Sequence, residues 1–201
     1  IRKATFDTRD FMDGVVVNGH LGGLYLESHG VVFSPETARI NEFSVKNTDV
    51  SLTLENMEDT DTTTTEPIYW KILLDEIDFE NVGFALNMPQ DSLFVRTMLP
   101  KTTLKDGVID LKEASYYVKS FDMDNAELAY GPKEELSLKK IGLQLDSIYY
   151  CGRDIRANIE EFVFKERSGL ELVSTEGRIA SDSVLIQIPK FTMKTTASSL
   201  D

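Results

Sequence analysis

One ten-residue pattern, apolar-x-apolar-x-x-x-x-apolar-x-apolar, recurs along this chain and restricts it to folds that stack a single unit. It stands at 43–52 with Phe43, Val45, Val50 and Leu52 in the apolar places. At 77–86 those places hold Ile77, Phe79, Phe84 and Leu86, and at 121–130 Phe121, Met123, Leu128 and Tyr130. It returns at 141–150 with Ile141, Leu143, Ile148 and Tyr150. A looser copy, one residue longer, begins at Phe162 and Phe164, and a degraded copy begins at Phe191 and Met193. Asn occupies the fifth place in three copies, as Asn47, Asn81 and Asn125.

The spacing has a geometric consequence. Phe43 and Val45 differ in parity from Val50 and Leu52, so an unbroken strand sends the two pairs to opposite faces. A two-residue hairpin at Asn47-Thr48 returns them to one face, and so does a bulge with one extra residue. Asn tolerates the left-handed backbone that either requires. Val82, beside Asn81, fits a hairpin poorly because β-branched residues resist positive φ. Both local structures stay open, and both keep one face apolar through the kink.

A second spacing runs alongside. Gly107 precedes Phe121 by the same interval that separates Gly177 from Phe191, and Gly30 precedes Phe43 by one residue less. The larger unit is read as a Gly turn, a strand, a polar turn, a second strand and then the motif.

Nearly every segment alternates as a strand does and is rich in Val, Ile, Phe, Tyr and Thr. Turn signals punctuate the runs at Asp13-Gly14, Gly22-Gly23, Asp106-Gly107, Gly131-Pro132, Ser168-Gly169 and Glu176-Gly177. Residues 153–162 carry helical and strand spacings together, and the neighbouring strands favour strand. Residues 132–140 fit a short helical turn or a strand. The fold class is therefore all-β. The acidic, Thr-rich stretch 55–67 has no apolar periodicity and is expected to be a mobile surface loop within a single repeat-built domain over 1–201.

Composition excludes several roles. A formal charge of −13 argues against nucleic-acid binding, which needs clustered Lys and Arg. Cys151 is the single cysteine, so no internal disulfide forms, and it reads as a small hydrophobe beside Tyr149 and Tyr150. No apolar run reaches the ~20 residues that span a bilayer. The chain opens on a strand-like segment without Met or a signal-peptide pattern, and is read as a piece of a longer protein.

No catalytic constellation emerges, and the chain is not expected to be an enzyme. His20 and His29 are the only histidines, and no thiol or carboxylate sits near them at ligand spacing. Asp59-x-Asp61-x-Thr63 begins like a calcium loop but lacks its central Gly and closing Glu. No metal or other cofactor is expected. The recurring aromatics fit either a closed sandwich core between two sheets, which periodicity alone favours, or an open curved sheet whose lining holds acyl chains.

The stretch 143–181 resembles the repeat region of TamB-type and AsmA-like translocation and assembly proteins, in the form found in Bacteroidota-like bacteria. The phrases that carry it are L-D-S-I-Y-Y-C-G at 145–152, E-R-S-G-L at 166–170 and S-T-E-G-R-I-A-S-D-S at 174–183. The segment 107–126 is similar to the same family. The resemblance implies a β-taco, an elongated antiparallel sheet of stacked hairpins curled lengthwise around an apolar groove lined by the apolar places of the repeat. It implies a periplasmic, envelope-spanning protein held in the inner membrane by a segment outside this chain. Its implied role is conduction of phospholipid toward the outer membrane. Support of outer-membrane β-barrel assembly and secretion by strand addition is the alternative. The implied partners are phospholipid acyl chains, the barrel-assembly machinery and flanking repeats of the same chain.

The groove is physically reasonable. Strands of five or six residues span ~17–20 Å, and fourteen or so of them make a rod of ~65 Å. A self-contained adhesin or carbohydrate-binding sandwich needs aromatics on the polar face, and the only Trp, Trp70, falls in an apolar run. Asp61-Thr62-Thr63 matches a glycosylation acceptor pattern of the suspected bacterial group.

Overall fold

The computed structural model describes residues 1–7, 14–55, 69–152, 154–180, 185–194 and 199–200. Its regular elements are strands: β1 (Arg2–Asp7), β2 (Val15–Phe33), β3 (Glu36–Leu54), β4 (Lys71–Met88), β5 (Leu93–Asp110) and β6 (Ser115–Tyr130). They continue as β7 (Leu136–Cys151), β8 (Asp154–Glu166), β9 (Glu171–Ala180), β10 (Leu185–Lys194) and β11 (Ser199–Leu200). All join one sheet in chain order. Among the described residues each strand touches only its immediate neighbours in that order, so no second layer covers the first. The closed sandwich that periodicity favours is thereby excluded.

Exposure agrees. The accessible surface is 13583 Å², whereas a compact monomer of this mass exposes about 9,500 Å². Among the described residues no large side chain is fully buried, and the buried hydrophobics are few: Val45, Leu74, Ala126, Ile141, Ala157 and Leu172.

Three expectations need correction. The strands are not short, because β2 to β7 run for 16 to 19 residues. The eleven strands among the described residues, at ~4.8 Å, make a stack of about 50 Å, shorter than the rod expected from more and briefer strands. The sheet is also not wholly antiparallel, since β3 and β4 run parallel. Finally, Gly22-Gly23, Asp106-Gly107 and Glu176-Gly177 lie inside β2, β5 and β9 rather than in turns. Gly131-Pro132 and Ser168-Gly169 are turns. Gly30, Gly107 and Gly177 lie within strands, and the strand and motif that follow Gly30 and Gly107 form one continuous element each, β3 and β6. Residues 154–162 are strand, and of 132–140 the first four are a turn and 136–140 begin β7.

The long strands bend through two creases that cross the sheet. One passes through Asn47, Asn81 and Asn125, with φ of 50°, 54° and 55°. The ladder skips there: Lys46 faces Glu80 and Thr48 faces Val82, while Lys101 faces Glu80 and Leu99 faces Val82. Pro100 therefore stands opposite Asn81, where its missing N–H costs nothing. The second crease passes through Asp75, Asp106 and Ser147, with φ of 52° at Asp106 and 57° at Ser147. At Asn47 and Asn81 the strands stay in register, with a single left-handed residue in each that resets the alternation, and at Asn125 the pairing with β7 is bulged; the hairpin alternative is excluded at all three.

The parallel pair explains why two Asn residues meet. From Thr37–Lys71 to Thr53–Asn87 the offset is constant. Equivalent places of two repeats lie side by side, including Asn47 and Asn81.

Candidate functional site

Contacts assign the two faces. On the floor between the creases, the ion pairs Lys46–Glu80 at 2.8 Å and Lys105–Glu76 at 3.0 Å mark a polar outer face. Thr103 Oγ1 adds a hydrogen bond to Asp78 Oδ1 at 2.7 Å on that face. The hydrogen bond and charge of Lys46 hold Glu80 below its ordinary 4.5, as befits a solvated ion pair. Residues of the other parity face inward, as the edge-on contact of Phe43 and Phe79 shows, with centroids 6.4 Å apart.

Each crease inserts one residue, so inward positions step by two along a segment and by three across a crease. In β4 the inward series is Ile72, Leu74, then Ile77, Phe79, then Val82, Phe84, Leu86 and Met88. The outer face resumes beyond the crease: a Cβ at Gly83 would stand 2.8 Å from the Asp49 carboxylate, so those two share the polar side. In β6 the same step yields Tyr116, Val118, then Phe121, Met123, then Ala126, Leu128 and Tyr130. The product is a trough with a floor two inward side chains wide and two apolar walls. Those walls are open to solvent: Phe84, Tyr116, Tyr130, Leu136 and Tyr150 are all exposed by 38 to 49 %.

The first three copies of the repeat, from Phe43, Ile77 and Phe121, straddle the Asn crease and put their apolar places in the trough. The copy at 141–150 does so by a different route. Ile141, Leu143 and Leu145 precede the second crease at Ser147, and Ile148 and Tyr150 follow it. The copy at 162–172 is a hairpin, with Phe164 opposite Leu172 across a turn, and its Phe162 and Phe164 rings lie 5.4 Å apart. The copy at 191–200 is also a hairpin by backbone pairing, with Met193 opposite Leu200. Phe191 pairs with Thr175. One sequence pattern thus has two local structures.

Sequence reasoning missed Leu74, Leu104 and Val118, because the motif spans only one crease. A three-residue step between apolar positions, sought twice per strand, finds them. It also missed Thr102, on the floor between Phe79 and Met123. Thr102 is 4 % exposed, and its hydroxyl has no hydrogen-bond partner among the described residues.

Other candidates fall elsewhere. His20 and His29 both lie in β2, so they cannot oppose each other across strands. The His29 ring instead meets Asn41 Oδ1 at 2.8 Å, and Asn41 donates to Asp75 at 3.0 Å. Among the described residues no group of three or more His, Cys, Asp or Glu is placed to hold a metal. Cys151 is half-buried rather than buried, with its thiol 3.7 Å from the Glu113 carbonyl. Three tyrosines, Tyr25, Tyr117 and Tyr149, do lie on the outward side, where Arg156 covers Tyr149 at 5.8 Å. The acidic stretch 56–67, with Asp59, Asp61, Thr62 and Thr63, lies outside the described residues. Among the described residues no helix is long and apolar enough to cross a membrane.

Fold and site together define an open, twice-creased β-sheet that encloses a lengthwise apolar groove. No protein-family profile matches the chain, and no curated protein matches it.

Proposed function

We propose that this chain is a lipid-conduit segment that shelters phospholipid acyl chains in its groove, within an envelope-spanning protein of the TamB-like kind. The observation that carries the reading is a mainly apolar lining that continues across both creases and is open to solvent, from Phe43 and Phe79 on the floor to Phe84 and Tyr116 on the walls. An exposed apolar surface of this extent calls for an apolar occupant. Each acyl CH₂ removed from water there contributes about 0.8 kcal/mol. The lining repeats from strand to strand without a deep pocket, so a chain can slide along it. The polar outer face, with its Lys–Glu pairs, keeps the segment in water.

Native mass spectrometry of protein exposed to short-chain phospholipids tests this. Bound lipid is expected, and a Val45→Asp/Phe79→Asp double variant that keeps its β circular dichroism should lose it. A wild-type chain that takes up no lipid defeats the proposal.

A second reading, strand addition to nascent β-barrel segments, has one observation in its favour. β1 covers β2 only as far as Gly23 and Leu24, leaving the β2 edge beyond them without a neighbour among the described residues. An open edge can accept a strand. Crosslinks from Tyr25 or Val31 to barrel segments, without crosslinks to lipid, would favour it.

A further inference from the structure

Where the β2–β3 turn meets the start of β4 and the end of β5, the groove's rim carries a cleft of about 720 Å³. Its lining combines aromatic and charged groups: Phe33, Tyr69, Glu36, Lys71, Asp110 and Lys112. Trp70 stands just behind it, edge-on to Phe33 with ring centroids 5.7 Å apart. The position of Trp70 is fixed by backbone pairing, since its carbonyl accepts a hydrogen bond from Leu111 N at 3.0 Å. The cleft thus lies at the margin where the apolar wall gives way to water. Amphipathic aromatics favour such a margin.

The charges sort into a pair and two singles. Lys71 and Asp110 face each other at 3.7 Å and neutralise one another. Lys112 and Glu36 have no ionic or hydrogen-bond partner among the described residues, and each borders the cleft. One free cation and one free anion match a ligand that carries one of each. Aromatic faces at Phe33 and Tyr69 suit an ammonium group as well. A purely anionic headgroup meets a repulsive Glu36, and an uncharged one leaves both groups unused.

We propose that this rim cleft binds the headgroup of a zwitterionic phospholipid, with the phosphate toward Lys112 and the amine toward Glu36. The inference rests on the groove holding the acyl chains of the same lipid. It adds that the two rims are unequal, and that headgroups register on the Phe33–Tyr69 side.

Trp70 is the only tryptophan, so its emission reports this cleft alone. Four ligands separate the possibilities: dihexanoyl phosphatidylethanolamine, dihexanoyl phosphatidylglycerol, dihexanoylglycerol and free phosphoethanolamine. The zwitterionic lipid should bind tightest and shift the emission. Glu36→Gln should weaken it about three- to fivefold, the scale of one exposed charge contact, and leave the phosphatidylglycerol bound as well as before or more tightly, because the repelling carboxylate is gone. Lys112→Gln should weaken both phospholipids and leave dihexanoylglycerol unmoved. Equal binding of the two phospholipids, insensitive to both substitutions, overturns the headgroup assignment while leaving the groove intact. Free phosphoethanolamine binding as tightly as the lipid also overturns it, because the cleft would then serve a soluble metabolite. If dihexanoylglycerol and both phospholipids all fail to bind, the groove reading falls and takes this inference with it.

Discussion

Asn81 donates from its side-chain amide to the Asn47 side-chain oxygen at 3.2 Å, and both residues hold positive φ, 54° and 50°. The contact ties two copies of the repeat at the point where each strand bends. Asn suits the place twice over, because it tolerates the left-handed region and its amide extends a ladder from strand to strand. In β3, β4 and β6 the crease is therefore built from the backbone preference of one residue type.

Asn81→Val should destabilise the protein by about 1–3 kcal/mol, the cost of forcing a β-branched residue into that region. Asn81→Gly should cost less, because glycine adopts positive φ freely. Urea unfolding of the two variants gives the comparison. Equal stabilities would show that the crease does not depend on the left-handed residue.

Gly22 lies against the same crease. A Cβ there would collide with the Asn47 backbone oxygen and stand 2.7 Å from the Lys46 carbonyl, whereas a Cβ on Gly23 meets nothing within 4 Å. Gly22→Ala is expected to lower the thermal midpoint by several degrees, on the scale of about 1–3 kcal/mol for an overpacked site. Gly23→Ala should leave it nearly unchanged. The pair separates close backbone approach from the general loss of a glycine.

Thr102 places an unpartnered hydroxyl on the apolar floor. Replacing it by valine keeps the shape and removes the buried polar atom. A gain of about 1 kcal/mol in unfolding free energy is expected. A loss of similar size would mean that the hydroxyl is satisfied in solution.

The hairpin between β8 and β9 should loosen in acid. Hydrogen bonds from the Ser168 side chain and backbone N–H hold Glu166 below its ordinary 4.5, the backbone bond measuring 2.6 Å. A carboxyl depressed in the folded state contributes stability at neutral pH, and that contribution is lost as pH falls through the folded value. The protection of the Ser168 amide, taken relative to its intrinsic exchange rate, should therefore fall below about pH 4.5, and Glu166→Gln should abolish that pH dependence. An unchanged pH profile in the glutamine variant would argue that another group governs the turn.

The sequence by itself determined the class of the fold and the residues of one crease. Alternation over nearly every segment allows only strands, and a parity break at Asn47, Asn81 and Asn125 requires a device that returns the apolar residues to one face. Those are local properties, set by side-chain period and by φ preference, so they are readable without knowing any partner strand. Choosing between bulge and hairpin was not local. At Asn47 and Asn81 the strands on both sides continue the ladder past the kink in unchanged register, so the chain bends at one left-handed residue and goes on. At 162–172 the chain turns back, and β8 pairs with β9 directly, so the same spacing becomes a hairpin. The parallel pairing of β3 with β4 was equally hidden, since nothing in either strand fixes the direction in which the chain returns. The second crease, the open cross-section and the gathering of Phe33, Tyr69, Trp70 and Lys112 at one rim all follow from which strands stand side by side. Only the tertiary structure decides that, because hydrogen-bonded register joins residues far apart in the chain and no single strand encodes its neighbour's position.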